Sequence, residues 1–123
     1  MVIIDASVYV ALINAHEPHH VSSWNWFQQA QAVQETVAAP VILLAEVAAA
    51  LSRGAANPLL ARRVTQQLLT SNLIDLVPVT PTLAEQAALI AADYQIRGCD
   101  AVYVALAAQT GAELVTLDQQ QDV

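Results

Sequence analysis

The chain has 123 residues, 11 of them acidic and 4 basic, for a formal net charge of −7, with 56% hydrophobic and 12% charged residues. That length points to one domain over residues 1–123, and that balance excludes an intrinsically disordered chain. A single cysteine, Cys99, excludes an internal disulfide framework and a four-cysteine zinc site, and fits a reducing cytoplasm.

In chain order, Val2-Ile3-Ile4 is a short β-branched run that reads as a buried strand ending at Asp5. A helix opens across Asp5-Ala6-Ser7 and runs to about Asn14, where Glu17-Pro18 breaks the pattern. Residues 21–34 carry Trp24, Phe27 and Ala30 or Gln31 at helical spacing, which sends Trp24 and Phe27 to the core and aims Trp26 elsewhere. Residues 36–39 read as a short strand. Residues 41–53 form an apolar helix stopped by Gly54. Asn57-Pro58 opens the next helix, with proline in the first turn, and it runs to about Ser71. Residues 73–77 read as a strand, and Thr80-Pro81 caps a helix to about Gln95. Gly98-Cys99-Asp100 leads into a further helix ending near Gly111, and residues 113–117 are the last strand. Strands separated by helices imply parallel βα units in a three-layer α/β domain. The longest apolar stretch, residues 40–51, contains Glu46 and is too short to span a bilayer. The first residues lack the basic segment of a signal peptide.

Four carboxylates stand where packing does not explain them. Glu46 is the one charge in residues 41–51 of an apolar helix, where burial without a partner would cost several kcal/mol. Asp100 precedes a second such helix. Asp5 and Asp118 each follow an apolar strand, and open parallel sheets form their ligand crevices beyond the carboxyl ends of strands. Acids that converge there raise one another's pKa unless a cation compensates them, and hard oxygen ligands favour Mg²⁺ or Mn²⁺. Each acid also has an ordinary reading. Asp5 and Asp100 stand where helix caps stand, Asp118 where a turn residue stands, and Glu46 has Arg53 or Arg97 as possible partners.

Other polar residues suggest less. His16, His19 and His20 flank Pro18 in a helix connection, without the spacing of a zinc site. Cys99 reads as a small packing residue. Asp93 and Arg97 have the spacing of a weak helix pair, and Arg62-Arg63 that of a solvated face. With no lysine, the chain is poorly equipped for nonspecific binding to long duplex DNA.

Four segments carry a resemblance when taken together: Val2-Ile3-Ile4-Asp5-Ala6-Ser7, Leu43-Leu44-Ala45-Glu46-Val47, residues 97–107 (Arg-Gly-Cys-Asp-Ala-Val-Tyr-Val-Ala-Leu-Ala) and Leu114-Val115-Thr116-Leu117-Asp118. In this order and spacing the chain resembles the PIN-domain family, specifically its VapC-like toxins of type II toxin–antitoxin systems, over essentially its whole length. The resemblance implies a three-layer α/β/α fold around a central parallel sheet of four to five strands. It implies a metal-dependent endoribonuclease, with Asp5, Glu46, Asp100 and Asp118 as the catalytic acids that hold Mg²⁺ or Mn²⁺. Ser7 and Thr116 match hydroxyls beside that site, and Arg53 and Arg97 are candidates for phosphate contacts. The implied partners are an RNA substrate, a small cognate antitoxin and a second copy of the chain, in the cytoplasm. Two departures accompany it. The chain ends at Val123, which leaves the last strand open, and Gln119, Gln120 and Gln121 stand where relatives often carry a further ligand. A noncatalytic interaction module and a PIN nuclease of RNA processing are the alternatives.

Overall fold

The structure, a computed structural model, describes residues 1–54 and 56–117. In chain order these form β1 (Val2–Ile4), α1 (Ala6–Ile13), α2 (His20–Ala32), β2 (Val37–Pro40), α3 (Leu43–Gly54), α4 (Pro58–Thr70), β3 (Asp75–Val77), α5 (Pro81–Tyr94), α6 (Gly98–Thr110) and β4 (Glu113–Val115). Ile3 and Ile4 have no solvent exposure. A strand covered on both faces reads as an unbroken apolar run rather than an alternation, which is why three β-branched or apolar residues suffice here.

The strands pair in parallel in the order β3-β2-β1-β4, with Ile3 opposite both Ala38 and Leu114, and Ala39 opposite Leu76. The chain steps outward from β1 through β2 to β3, then crosses back to the far side of β1. That reversal opens a crevice between the carboxyl ends of β1 and β4. Right-handed crossovers send α1–α4 to one face and α5–α6 to the other. The main packing pairs agree: α1 with α2 and α3, α3 with α4, and α5 with α6. Helix α6 lies against β1, β2 and β4, and its Tyr103 is the largest fully buried side chain.

The helix starts follow their local chemistry. Asn57 accepts from the Leu60 N–H at 3.1 Å and Thr80 from the Leu83 N–H at 3.2 Å, each followed by proline in the first turn.

Four expectations need correction. Helix α3 is not apolar cover on every side: Leu43, Val47 and Leu51 reach the core, while its alanines lie at or near the surface at little cost. Gly54 does not stop that helix but is its last residue, and the left-handed conformation falls on Ala56, φ 52°. On α2 the tryptophans exchange roles. The buried stripe runs through Ser23, Phe27 and Ala30, Trp26 packs half-buried beside it, and Trp24 is 44% exposed. Strand β4 ends at Val115 rather than Leu117, because Thr116 and Leu117 turn their hydrogen bonds to the β1–α1 corner. The sheet has four strands among the described residues. Asp118 and the glutamines at 119–121 lie outside the described residues. No helix among those described is long and apolar enough to cross a membrane.

Candidate functional site

Asp5 leaves β1 in an extended conformation and caps α1: its Oδ1 accepts from the Val8 N–H at 3.2 Å. The same oxygen accepts from the Ser7 hydroxyl at 2.5 Å, and Oδ2 accepts from the Thr116 hydroxyl at 2.5 Å. The Ser7 oxygen in turn accepts from the Leu117 N–H at 3.0 Å. Capping and siting are therefore one role, not two. These bonds join the end of β1 to the end of β4 across the crevice, and they hold a carboxylate that is only 2% exposed. The two hydroxyls that the resemblance implied, Ser7 and Thr116, both donate to it.

Glu46 and Asp100 come together from different layers. One ligand atom each from Glu46, Cys99 and Asp100 lie within 4.8 Å of one another. Glu46 sits in the first turn of α3, half-buried, and its Oε1 accepts from the Tyr103 hydroxyl at 2.5 Å. Asp100 is buried in the first turn of α6, where the helix dipole favours a negative charge. It is not the cap. Arg97 occupies the cap position, with no side-chain cap bond, and its guanidinium grips Asp100 with two prongs, Nε to Oδ2 at 2.7 Å and Nη2 to Oδ1 at 3.2 Å. Among the described residues, Tyr103 donates a hydrogen bond to Glu46.

The local electrostatics keep two nearby groups protonated. Burial first, then the hydrogen bond to Glu46 and the charges of Glu46 and Asp5, push the Tyr103 phenol far above the ordinary tyrosine range. The charge of Asp5 is therefore felt in the same pocket as that of Glu46. Burial first, then the charge and hydrogen bond of Glu46 and the charge of Asp100, raise the Cys99 thiol, with Arg97 opposing them. Such a thiol is a poor nucleophile at neutral pH.

The donor set fits a divalent cation. Glu46 and Asp100 offer converging carboxylate oxygens, Asp5 adds a third charge nearby, and hard oxygen donors match Mg²⁺ or Mn²⁺. Cys99 Sγ, 3.9 Å from Asp100 Oδ1, is a softer neighbour.

Not every suspected residue gathers here. Arg53 is exposed two turns along α3 from Glu46 and donates to the Ala49 carbonyl of its own helix at 3.3 Å. Arg62 and Arg63 are exposed on α4. His20 opens α2, its Nδ1 2.7 Å from the Ala11 carbonyl, and His19 occupies the cap position before it. Arg97 turns to Asp100 rather than Asp93, because α5 ends in the left-handed Gln95 and no helical spacing connects the two. Sequence reasoning missed Tyr103, whose signal was a hydroxyl on the apolar helix one turn past Asp100. It also read Cys99 as packing alone.

Comparison with known proteins agrees with this fold. Curated proteins yield no match. Among solved structures, the toxin VapC20 of Mycobacterium tuberculosis, described as cleaving the sarcin–ricin loop, superposes with a TM-score of 0.81 at 20% identity, covering 99% of this chain and 93% of that one. A toxin–antitoxin complex from Klebsiella pneumoniae superposes with a TM-score of 0.69 at 16% identity, covering 98% of this chain and 89% of that one. Both share its fold. The PIN domain model matches residues 2–123, and with its parallel sheet and acid-lined crevice the chain belongs to the PIN domain family.

Proposed function

We propose that the chain is a Mg²⁺- or Mn²⁺-dependent endoribonuclease and the toxin of a type II toxin–antitoxin pair. The observation that carries this reading is the convergence of Glu46, Cys99 and Asp100 beside the held carboxylate of Asp5. Asp5, Glu46 and Asp100 would hold the ion, together with Asp118, which lies outside the described residues. When bound, the ion supplies Lewis acidity and an activated water for in-line attack on phosphorus.

The chain's own residues do the rest. Ser7 and Thr116 keep Asp5 in one orientation, and Tyr103 does the same for Glu46, so these two carboxylates are held in place before the ion arrives. Arg97, its side chain 62% exposed, lies within reach of a phosphate that approaches Asp100. Cys99 and Tyr103 stay protonated, and no protein nucleophile is called for.

The toxin role draws support from the descriptions of the structural relatives, one a toxin and one a toxin–antitoxin complex. A chain of charge −7 suits a basic antitoxin segment. A second copy of the chain as partner follows from the family resemblance and the 56% hydrophobic content. Light scattering that gives a monomer at roughly tens of micromolar would remove the homodimer from this reading.

The central test is RNA cleavage with Mn²⁺ or Mg²⁺, alongside an Asp5→Asn/Asp100→Asn variant and a chelator control. Wild-type cleavage should fall at least about a hundredfold in the variant, the scale of losing a metal's transition-state stabilisation. Equal cleavage by the variant, or cleavage that survives chelation, would overturn the assignment.

A further inference from the structure

We propose that Arg97 is an internal cation that competes with the divalent ion for Asp100, so that loading the site requires the guanidinium to leave. This rests on the metal reading above and concerns how that site is regulated.

The Asp100 side chain is 3% exposed, and an ionised carboxylate so placed needs a positive partner. Arg97 supplies it through a two-pronged contact that engages both carboxylate oxygens, at 2.7 and 3.2 Å. Those are the oxygens Asp100 would offer a metal, and two-pronged pairing uses the lone pairs best aimed for chelation. The partner is always at hand. Arg97 sits at the cap position and Asp100 in the first turn of the same helix, so the pair closes over three residues. The Arg97 side chain is 62% exposed, so its guanidinium borders solvent as well as the carboxylate. Glu46 and Cys99 approach Asp100 within the 4.8 Å cluster, so an ion seated among them would meet the guanidinium charge on its Asp100 ligand. Like charges crowded on one carboxylate raise the cost of binding, and the pair must open.

The test is Mn²⁺ titration by calorimetry of wild type, Arg97→Gln and Arg97→Lys, with thermal unfolding of each at zero and saturating Mn²⁺. Competition predicts tighter Mn²⁺ binding by Arg97→Gln, on the order of fivefold or more given the worth of a partly exposed ion pair. Arg97→Lys keeps the charge without the planar fork and should fall between. Without metal, Arg97→Gln should melt below wild type, and its Mn²⁺-induced gain in Tm should exceed that of wild type. If Arg97 instead holds Asp100 ready for the ion, both variants bind Mn²⁺ more weakly, and the proposal is overturned. Unchanged affinity overturns it equally. Should Arg97→Gln fail to fold, the Arg97→Lys comparison decides alone. If wild type itself binds no Mn²⁺, the metal reading fails and the competition falls with it, a result distinct from binding without a gain.

Discussion

Tyr103 donates its hydroxyl to Glu46 from a position with no solvent exposure. Tyr103→Phe keeps the ring's packing and removes only that donor, leaving a half-buried carboxylate less well held. The expected cost is about 1–2 kcal/mol of unfolding free energy, read from urea denaturation, with a loss of metal-dependent cleavage. Cys99 reports the same cluster from another side. Glu46 raises its thiol by charge and by hydrogen bonding, while Arg97 lowers it. Alkylation at pH 8 should therefore speed up in Glu46→Gln and slow down in Arg97→Gln. Unchanged rates in both would mean that the thiol does not sense these charges. That Glu46 needs a partner was legible in the sequence, because a charge inside an apolar helix calls for an explanation. Tyr103 was not, because a tyrosine on a buried helix face is ordinarily packing, and its meaning depends on Glu46 arriving from α3.

At the scale of elements, the turns depend on which residue carries the left-handed conformation. Gly111 closes α6 with φ 68°, and a Cβ there would meet nothing within 4 Å. Gly111→Ala is strained by backbone alone and should cost about 1 kcal/mol. Gly54, the last residue of α3, also has open space for a Cβ but no positive φ. Gly54→Ala should stabilise the chain by up to about 1 kcal/mol by restricting the unfolded state. Thermal denaturation of the two variants should show shifts of opposite sign. The stop role read from the sequence fell to Gly54 alone, but there the chain takes its left-handed step at Ala56.

For the whole molecule, two phenols, Tyr103 buried and Tyr9 half-buried, tie stability to alkaline pH. Burial raises Tyr9, and burial with Glu46 raises Tyr103. Below the ordinary tyrosine pKa, near 10, both folded and unfolded chains keep these protons and the stabilisation is fully present. Above it the unfolded chain releases them while the folded chain holds them, so stability falls as pH rises past about 10. The urea midpoint should drop between about pH 8 and pH 11, and drop less in Tyr103→Phe. By itself the sequence determined the order of strands and helices, the caps at Asp5, Asn57 and Thr80, and the acids that required a partner. These follow from interactions within a few residues, where apolar runs, prolines and cap side chains act on their own backbone. Only the tertiary structure decided that Thr116 reaches Asp5, that Glu46 meets Tyr103, that Arg97 turns to Asp100 and not Asp93, and that Arg53 stays away. Those pairings depend on the crossover that carries the chain back past β1, and on where α5 ends and α6 begins. No local pattern encodes the distances they set.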